Sequence, residues 1–355
     1  MWKWRRHPVS PIGVHLGQNS AALVQLMRTP AGPAVSRVAL GSWTVDDRLS
    51  SDDQLRQSAM ALRKLVQDHR FIGRRAVSCL GTHELFVQNM RVPHLSQGEV
   101  DRVVGWEAEE RLPYPRNEAE IRHVIAGEVR EDDNLRQEVI LLACHRGVIQ
   151  RHIALMEQAG LEPVGLDAEP CAWLRALNAG RPAAGLAERQ GYLSLGERVS
   201  TVLFADREQI LFIKPIPLGG NHFDQQLAAE LGLRLEDARQ MRSRVFAADV
   251  LDADHEVHQS VLAAIQPALE SIASEVELCL RYFRVTFRGR PLDQLTITGE
   301  DSAAWLAPYL SQRLGLPCRI GNPFEHLSPS PTSSVVQHRP ARWATSLGLS
   351  LRTVA

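Results

Sequence analysis

The stretch from Gly191 to Asn221 restricts what the chain can fold into more than any other. Short apolar runs alternate with tight turns there: Tyr192-Leu193-Ser194-Leu195-Gly196, then Val199 to Ala205, then Ile210 to Ile216. Runs rich in Val, Ile, Leu and Phe, broken by Gly and by an Asp-Arg-Glu turn, are hairpin signals. The stretch ends in Pro217-Leu218-Gly219-Gly220-Asn221, after which the apolar spacing becomes helical. A weaker version opens the chain, where Ile12-Gly13-Val14-His15-Leu16-Gly17 turns through Gln18-Asn19-Ser20 into Ala21 to Met27. Setting Leu16-Gly17 on Leu195-Gly196 brings Leu23-Val24 onto Val202-Leu203. Two halves that open with the same strand, turn and strand predict a duplicated α/β fold with a cleft between lobes. At 355 residues the chain exceeds the usual single-domain size, which also favours two domains.

Apolar residues at 44% and charged residues at 23% describe an ordinary soluble globular protein. A formal charge of −1 gives no reason to expect nucleic-acid binding. The five cysteines, Cys79, Cys144, Cys171, Cys279 and Cys318, are odd in number and irregularly spaced, which fits reduced thiols in a cytoplasmic compartment. No apolar run approaches the roughly 20 residues of a membrane-spanning helix. The start, Met1-Trp2-Lys3-Trp4-Arg5-Arg6, lacks the apolar core of a signal peptide. Its two Trp and three basic residues could touch an anionic membrane, although a frayed terminus is the simpler reading.

Gly-containing turns after strands let backbone N–H groups approach a phosphate without a clashing side chain. Three such turns are expected to face each other: Gly17 to Ser20, Gly196 to Thr201, and Thr298 to Ser302. Other constellations weigh less. Asp252, Asp254, His255 and His258 match no helical metal spacing and read as a polar loop. Glu107, Glu109 and Glu110 fan over different sides of a helix and read as solvated. Cys79 and Cys144 lie in apolar strands and read as buried small residues rather than nucleophiles. Trp106, beside Leu112-Pro113-Tyr114-Pro115, is most simply core of a small subdomain. Neither a catalytic group nor a metal ligand is assigned.

A set of runs spread over nearly the whole chain carries a family resemblance. Near the start stand Ile12-Gly13-Val14 with Leu16-Gly17 and Leu23-Val24-Gln25-Leu26, then Trp106-Glu107-Ala108-Glu109 with Leu112-Pro113-Tyr114-Pro115. Ala159-Gly160-Leu161-Glu162-Pro163, Asp167 with Glu169-Pro170, and Ile216 through Phe223 follow. Leu314-Gly315-Leu316-Pro317, Asn322-Pro323-Phe324 and Ala344 through Leu349 close the series. In these the chain resembles the PilM family, actin-like cytoplasmic proteins of type IV pilus assembly related to the cell-division protein FtsA. The resemblance implies an actin-like, ribonuclease H-like two-lobe α/β fold with an inserted small α+β subdomain. The division expected is a first lobe from residues 1–75 and 147–185, an insertion at 76–146, a second lobe at 186–325, and a segment at 326–355 returning to the first lobe.

The same resemblance implies a nucleotide site at Gly17, Gln18, Asn19, Ser20, Gly196, Glu197, Gly219, Gly220, Asn221, Thr298 and Gly299 if one is retained. Four departures argue against retention. The family's first phosphate turn begins with Asp where this chain has His15, and its second has Asp where this chain has Ser194. Its Gly-Gly-Gly adenosine turn is Gly299-Glu300-Asp301 here, and its helix Glu and Lys are replaced by Arg239 and Arg242. Hydrated Mg²⁺ beside a triphosphate is held through carboxylates, and the attacking water needs one to orient it. The expectation is therefore a pseudo-ATPase without cofactor, with ATP and magnesium as the alternative. By resemblance the protein is a scaffold peripheral to the inner membrane that clamps the cytoplasmic N-terminal segment of PilN between insertion and first lobe. Pilus motor ATPases and self-association are further partners implied. The alternatives are a member that still cycles nucleotide, or a type II secretion platform component; such components usually carry a membrane helix and periplasmic domain not seen in this sequence.

Overall fold

The computed structural model describes residues 8–46, 48–131, 134–181, 189–252, 254–287, 292–328 and 336–352. The tryptophan-containing start, most of the Gly-, Pro- and Ala-containing stretch at 180–190, and much of the Ser- and Pro-containing stretch at 328–340 lie outside them.

The first lobe begins with β1 (Ile12–Leu16), β2 (Ser20–Thr29) and β3 (Gly32–Ser42), followed by α1 (Ser51–Asp68) and β4 (Arg75–Leu80). Ser50 caps α1, its hydroxyl accepting the Asp53 N–H at 3.2 Å. After the insertion come α3 (Arg146–Gln158), β8 (Glu162–Ala168) and α4 (Glu169–Asn178). The insertion itself holds β5 (Phe86–Pro93), α2 (Gln97–Arg111), β6 (Ala119–Glu131) and β7 (Asn134–His145). The second lobe holds β9 (Arg189–Leu195), β10 (Ser200–Asp206), β11 (Gln209–Ile216), α5 (Gly220–Leu231), α6 (Leu235–Phe246) and α7 (Glu256–Thr286). It ends with β12 (Gln294–Thr298), α8 (Leu306–Leu314) and β13 (Cys318–Ile320), and α9 (Ala344–Ser350) closes the chain.

The duplication is visible in the sheets. The first runs β3-β2-β1-β4-β8 and the second β11-β10-β9-β12-β13. In each, the three leading strands pair antiparallel and the last two join in parallel. Register agrees to the residue. Gly13 faces Val24 as Tyr192 faces Leu203, and His15 faces Ala22 as Ser194 faces Thr201. The offset that the two Leu-Gly corners suggest is thus the offset of the fold.

Strand β4 corrects one boundary. Residue 76 was expected to open the insertion, but β4 lies between β1 and β8 at the heart of the first sheet. Its residues Ala76 and Val77 are fully buried, which only a central strand of that sheet requires. The insertion proper is β5-β7-β6 with α2 packed on one face, where Val100, Val104 and Ala108 meet Met90, Val139 and Leu141. Trp106 is the second correction. It points away from that core and is 65% exposed, because Val104 and Ala108 already occupy the inward stripe of α2.

Although it is inserted into the first lobe, the subdomain rests on the second. Asn89 Nδ2 donates to Ile213 O at 2.7 Å, and Gln209 Nε2 donates to Ala126 O at 3.0 Å. Helix α9 packs on β1 and α4 so tightly that only glycine fits at two places. A Cβ on Gly348 would lie 1.7 Å from Ala172 O, and one on Gly13 would lie 2.0 Å from Ser346 O. The last segment is thereby part of the first lobe. Helix α8 starts only at Leu306, because Asp301 N–H bonds Leu195 O and Ser302 hydroxyl bonds Gly299 O in a loop before it.

Candidate functional site

Between the lobes the turns after β1, β9 and β12 converge, as their spacing predicts. They enclose a cavity of about 40 Å³ lined by His15, Gly17, Gln18, Gly196, Glu197, Gly299 and Glu300. That is far below the several hundred Å³ of typical ligand pockets. Of the eleven expected nucleotide residues, Gly17, Gln18, Gly196, Glu197 and Gly299 reach it. The others serve the frame. Ser20 O accepts Gly17 N–H, and Asn19 O accepts Trp43 N–H. Gly220 and Asn221 donate their N–H groups to Gly196 O and Glu197 O, which places Gly219 behind the second turn. Thr298 is buried and its hydroxyl bonds Ala341 O at 3.1 Å.

The chain supplies its own anions to these turns. Gln18 N–H, in the first lobe, donates to the Glu197 carboxylate of the second at 3.3 Å. Thr82 N–H and hydroxyl both donate to Glu169 Oε2, at 2.9 and 3.2 Å, and Gly81 N–H donates to Glu84 at 2.9 Å. His15 stands between two carboxylates, with Nε2 3.6 Å from Glu169 and Nδ1 3.5 Å from Glu300. Burial raises the Glu300 carboxyl above its ordinary value; Asp301 and Glu197 add to the rise, while His15 and Arg342 oppose it. Arg339 holds the turn by donating to Glu300 O at 2.6 Å and Ser302 O at 3.1 Å.

Arg239 and Arg242, which stand where the resemblance implies Glu and Lys, do not line the cavity. Arg242 donates to Asp224 at 2.6 Å and to Asp301 at 2.5 Å, and Arg239 donates to Asp224 at 3.2 Å. Burial would lower the Arg242 pKa, but Asp301 and Asp224 hold it above the ordinary value. Asp301 is therefore spent on Arg242, and of these two neighbours Glu300 is the one that lines the cavity. Sequence reasoning missed Gly81, Thr82, Glu169 and Arg342. The duplication could have found the first pair, because Gly81 follows β4 as Gly299 follows β12. Among the described residues no group of three His, Cys, Asp or Glu side chains is placed to hold a metal. Asp252 and His258 instead order their own loop, His258 Nδ1 accepting Asp252 N–H at 3.0 Å.

A second and larger concavity lies between the insertion and the first lobe. About 700 Å³ is bounded by β6 and β7 on one side and by α3, the end of β8 and α4 on the other. Its floor is apolar, with Leu80, Val124, Leu142, Ile149 and Leu166. Burial pushes the Cys144 and Cys171 thiols up to about 11, so both are neutral lining groups rather than nucleophiles. Charge stands at the rim. Arg122 pairs with Glu120 at 2.7 Å, and Asp167 pairs with Arg175 at 2.9 Å and Arg352 at 3.6 Å.

These features have known counterparts. A solved structure described as the PilM-PilN type IV pilus biogenesis complex superposes with a TM-score of 0.80, at 24% identity, covering 98% of this chain and 100% of that one. The ethanolamine utilization protein EutJ from Carboxydothermus hydrogenoformans gives 0.56 at 18% identity, covering 99% and 92%. The two-lobe fold with paired sheets is shared with these structures and is an actin-like fold. Within it, the family model for type IV pilus assembly protein PilM matches residues 13–354. The chain belongs to the PilM family of type IV pilus assembly proteins.

Proposed function

We propose that the protein is a non-enzymatic scaffold of type IV pilus assembly, in which the groove between insertion and first lobe holds a peptide and the interlobe site no longer turns over ATP. The occupant is the cytoplasmic N-terminal segment of a PilN-like inner-membrane protein, which would keep the scaffold on the cytoplasmic face of that membrane. One observation supports the reading above others. The N–H groups of the turns at Gln18 and Thr82 already bind Glu197 and Glu169 carboxylates, while the apolar groove floor stands open. A triphosphate would have to displace those carboxylates and settle among Glu169, Glu197 and Glu300, with His15 and Ser194 in place of metal-holding Asp residues. An extended peptide needs only apolar pockets and a charged rim, both of which the groove has.

Ligands that bind the folded state raise its melting temperature in proportion to RT ln(1 + [L]/Kd). The protein is expected to melt several degrees higher with a PilN-type N-terminal peptide and unchanged with millimolar Mg-ATP. The Ile149→Glu variant, which puts a charge on the groove floor, is expected to lose the peptide shift. An ATP shift with phosphate release would replace this reading with the nucleotide-cycling one.

A further inference from the structure

Helix α7 buries one side in the second lobe and leaves another uncovered toward its C-terminal end. Val276, Leu280 and Phe283 face inward, while Leu278, Tyr282 and Val285 are 49%, 38% and 76% exposed. Their spacing of i, i+4 and i+7 sets them in one row on the helix surface, about 10 Å long at the helix rise. The exposed Ser271 and Ser274 continue the row upstream with small side chains. Large apolar groups aligned on one exposed face mark an interaction surface, whereas scattered ones do not.

The row is held in place by its neighbours. The Tyr282 ring packs on Phe212 of β11 with centroids 5.3 Å apart, and its hydroxyl donates to Glu138 Oε2 of the insertion at 3.4 Å. Arg91 Nη2 donates to Thr286 Oγ1 at 3.1 Å, and Arg91 also pairs with Glu138. The row therefore lies where the insertion rests on the second lobe. Cations border it. Arg281 and Arg284 are exposed on α7, and Lys214 is exposed on β11, on the same strand face as Phe212. Burial pushes the Cys279 thiol up to about 12 and the Lys214 ammonium opposes the rise, which sets that cation beside the helix. Among the described residues none of the three cations has a carboxylate at ion-pair distance. Of the acids on this stretch of α7, Glu277 pairs with Arg313 at 3.5 Å, which leaves Glu275 against three positive charges.

A single apolar row with a basic border is the counterpart of an amphipathic helix with acidic flanks. A two-fold contact with a second copy would bring Arg281 and Arg284 against like charges, which disfavours that occupant. We propose that this face of α7 docks an amphipathic helix of another protein, its apolar stripe on Leu278, Tyr282 and Val285 and its acidic flanks on Lys214, Arg281 and Arg284. The face is separate from the groove, because on β7 Glu138 lies roughly 14–20 Å from Leu142 and Cys144 at strand rise. Both can be occupied together, and the helix site does not depend on the peptide reading of the groove.

The probe is a labelled alanine-based helical peptide with leucines along one face and glutamates on both flanks, titrated with the full chain and read by fluorescence anisotropy. Binding is expected, weakening about tenfold from low to high salt as charges are screened. A peptide with lysines in place of the glutamates is expected to bind about tenfold more weakly. Val285→Glu and Lys214→Glu/Arg281→Glu should each weaken binding about tenfold, with the melting temperature at the wild-type value because these side chains are exposed. Ile149→Glu, in the groove, should bind the probe as wild type does, so that failure of this site and failure of the groove reading are told apart. Absence of binding, equal binding of the lysine peptide, wild-type binding by Val285→Glu, a solution dimer that Val285→Glu dissolves, or preference for anionic vesicles over the probe would each overturn the proposal.

Discussion

His15 Nδ1, on the first lobe, lies 3.5 Å from Glu300 Oε1 on the second, across the cleft where the two sheets meet. Each stands where a PilM-type nucleotide site is expected to carry a different residue, and together they span the cleft. The burial of Glu300 at that closure makes its contribution to stability depend on pH.

Burial raises the folded-state pKa of Glu300 above 4.5. A carboxyl shifted this way binds more protons in the folded than in the unfolded chain. Its stabilising effect is complete below 4.5 and is lost as pH rises through the raised value. Glu300→Gln is therefore expected to melt above wild type near neutrality and to converge with it in acid, as thermal melts across pH would show.

Asp224 is fully buried, and its two arginine partners leave it no access to water. Removing one partner of a buried ion pair costs about 3–5 kcal/mol, because the other charge stays uncompensated. Asp224→Ala is expected to cost that much in urea denaturation. Asp301→Asn should cost less, since Asp301 is 14% exposed and Arg242 keeps Asp224.

Two glycines should respond with opposite sign. Gly348→Ala puts a methyl into the Ala172 carbonyl, and overpacking of this kind costs about 1–3 kcal/mol or more. Gly98→Ala, in the first turn of α2 with nothing within 4 Å, should gain about 0.4–1 kcal/mol by restricting the unfolded chain. Paired melts of the two variants decide the matter.

Trp106→Ala is expected to change stability by less than about 0.5 kcal/mol, as for a surface substitution. A loss of several kcal/mol would restore the reading of Trp106 as core and contradict its exposure.

Much of this molecule was legible in its residues. Strand periodicity and the two Leu-Gly corners determined the duplicated lobes, because alternation and turn chemistry are local properties that act over a few residues. The same local logic acts at the α2 start, where Ser96 N–H bonds Glu99 at 3.0 Å, and at the helix ends by Gly160, Gly232 and Gly315, all with positive φ. Loss of the Asp positions at His15 and Ser194 was likewise readable from the sequence. Other features depended on approaches between distant segments that no spacing encodes. Trp106 is outside because its helix neighbours fill the core first. Arg242 turned from the cleft because Asp224 and Asp301 reached it from two other segments. Glu197 became an internal anion for the first turn only when the lobes met, and Glu169 reached Thr82 from a segment 87 residues away. Side-chain partners across a cleft are decided by three-dimensional packing, and for this protein that packing distinguishes a filled interlobe site from an open groove.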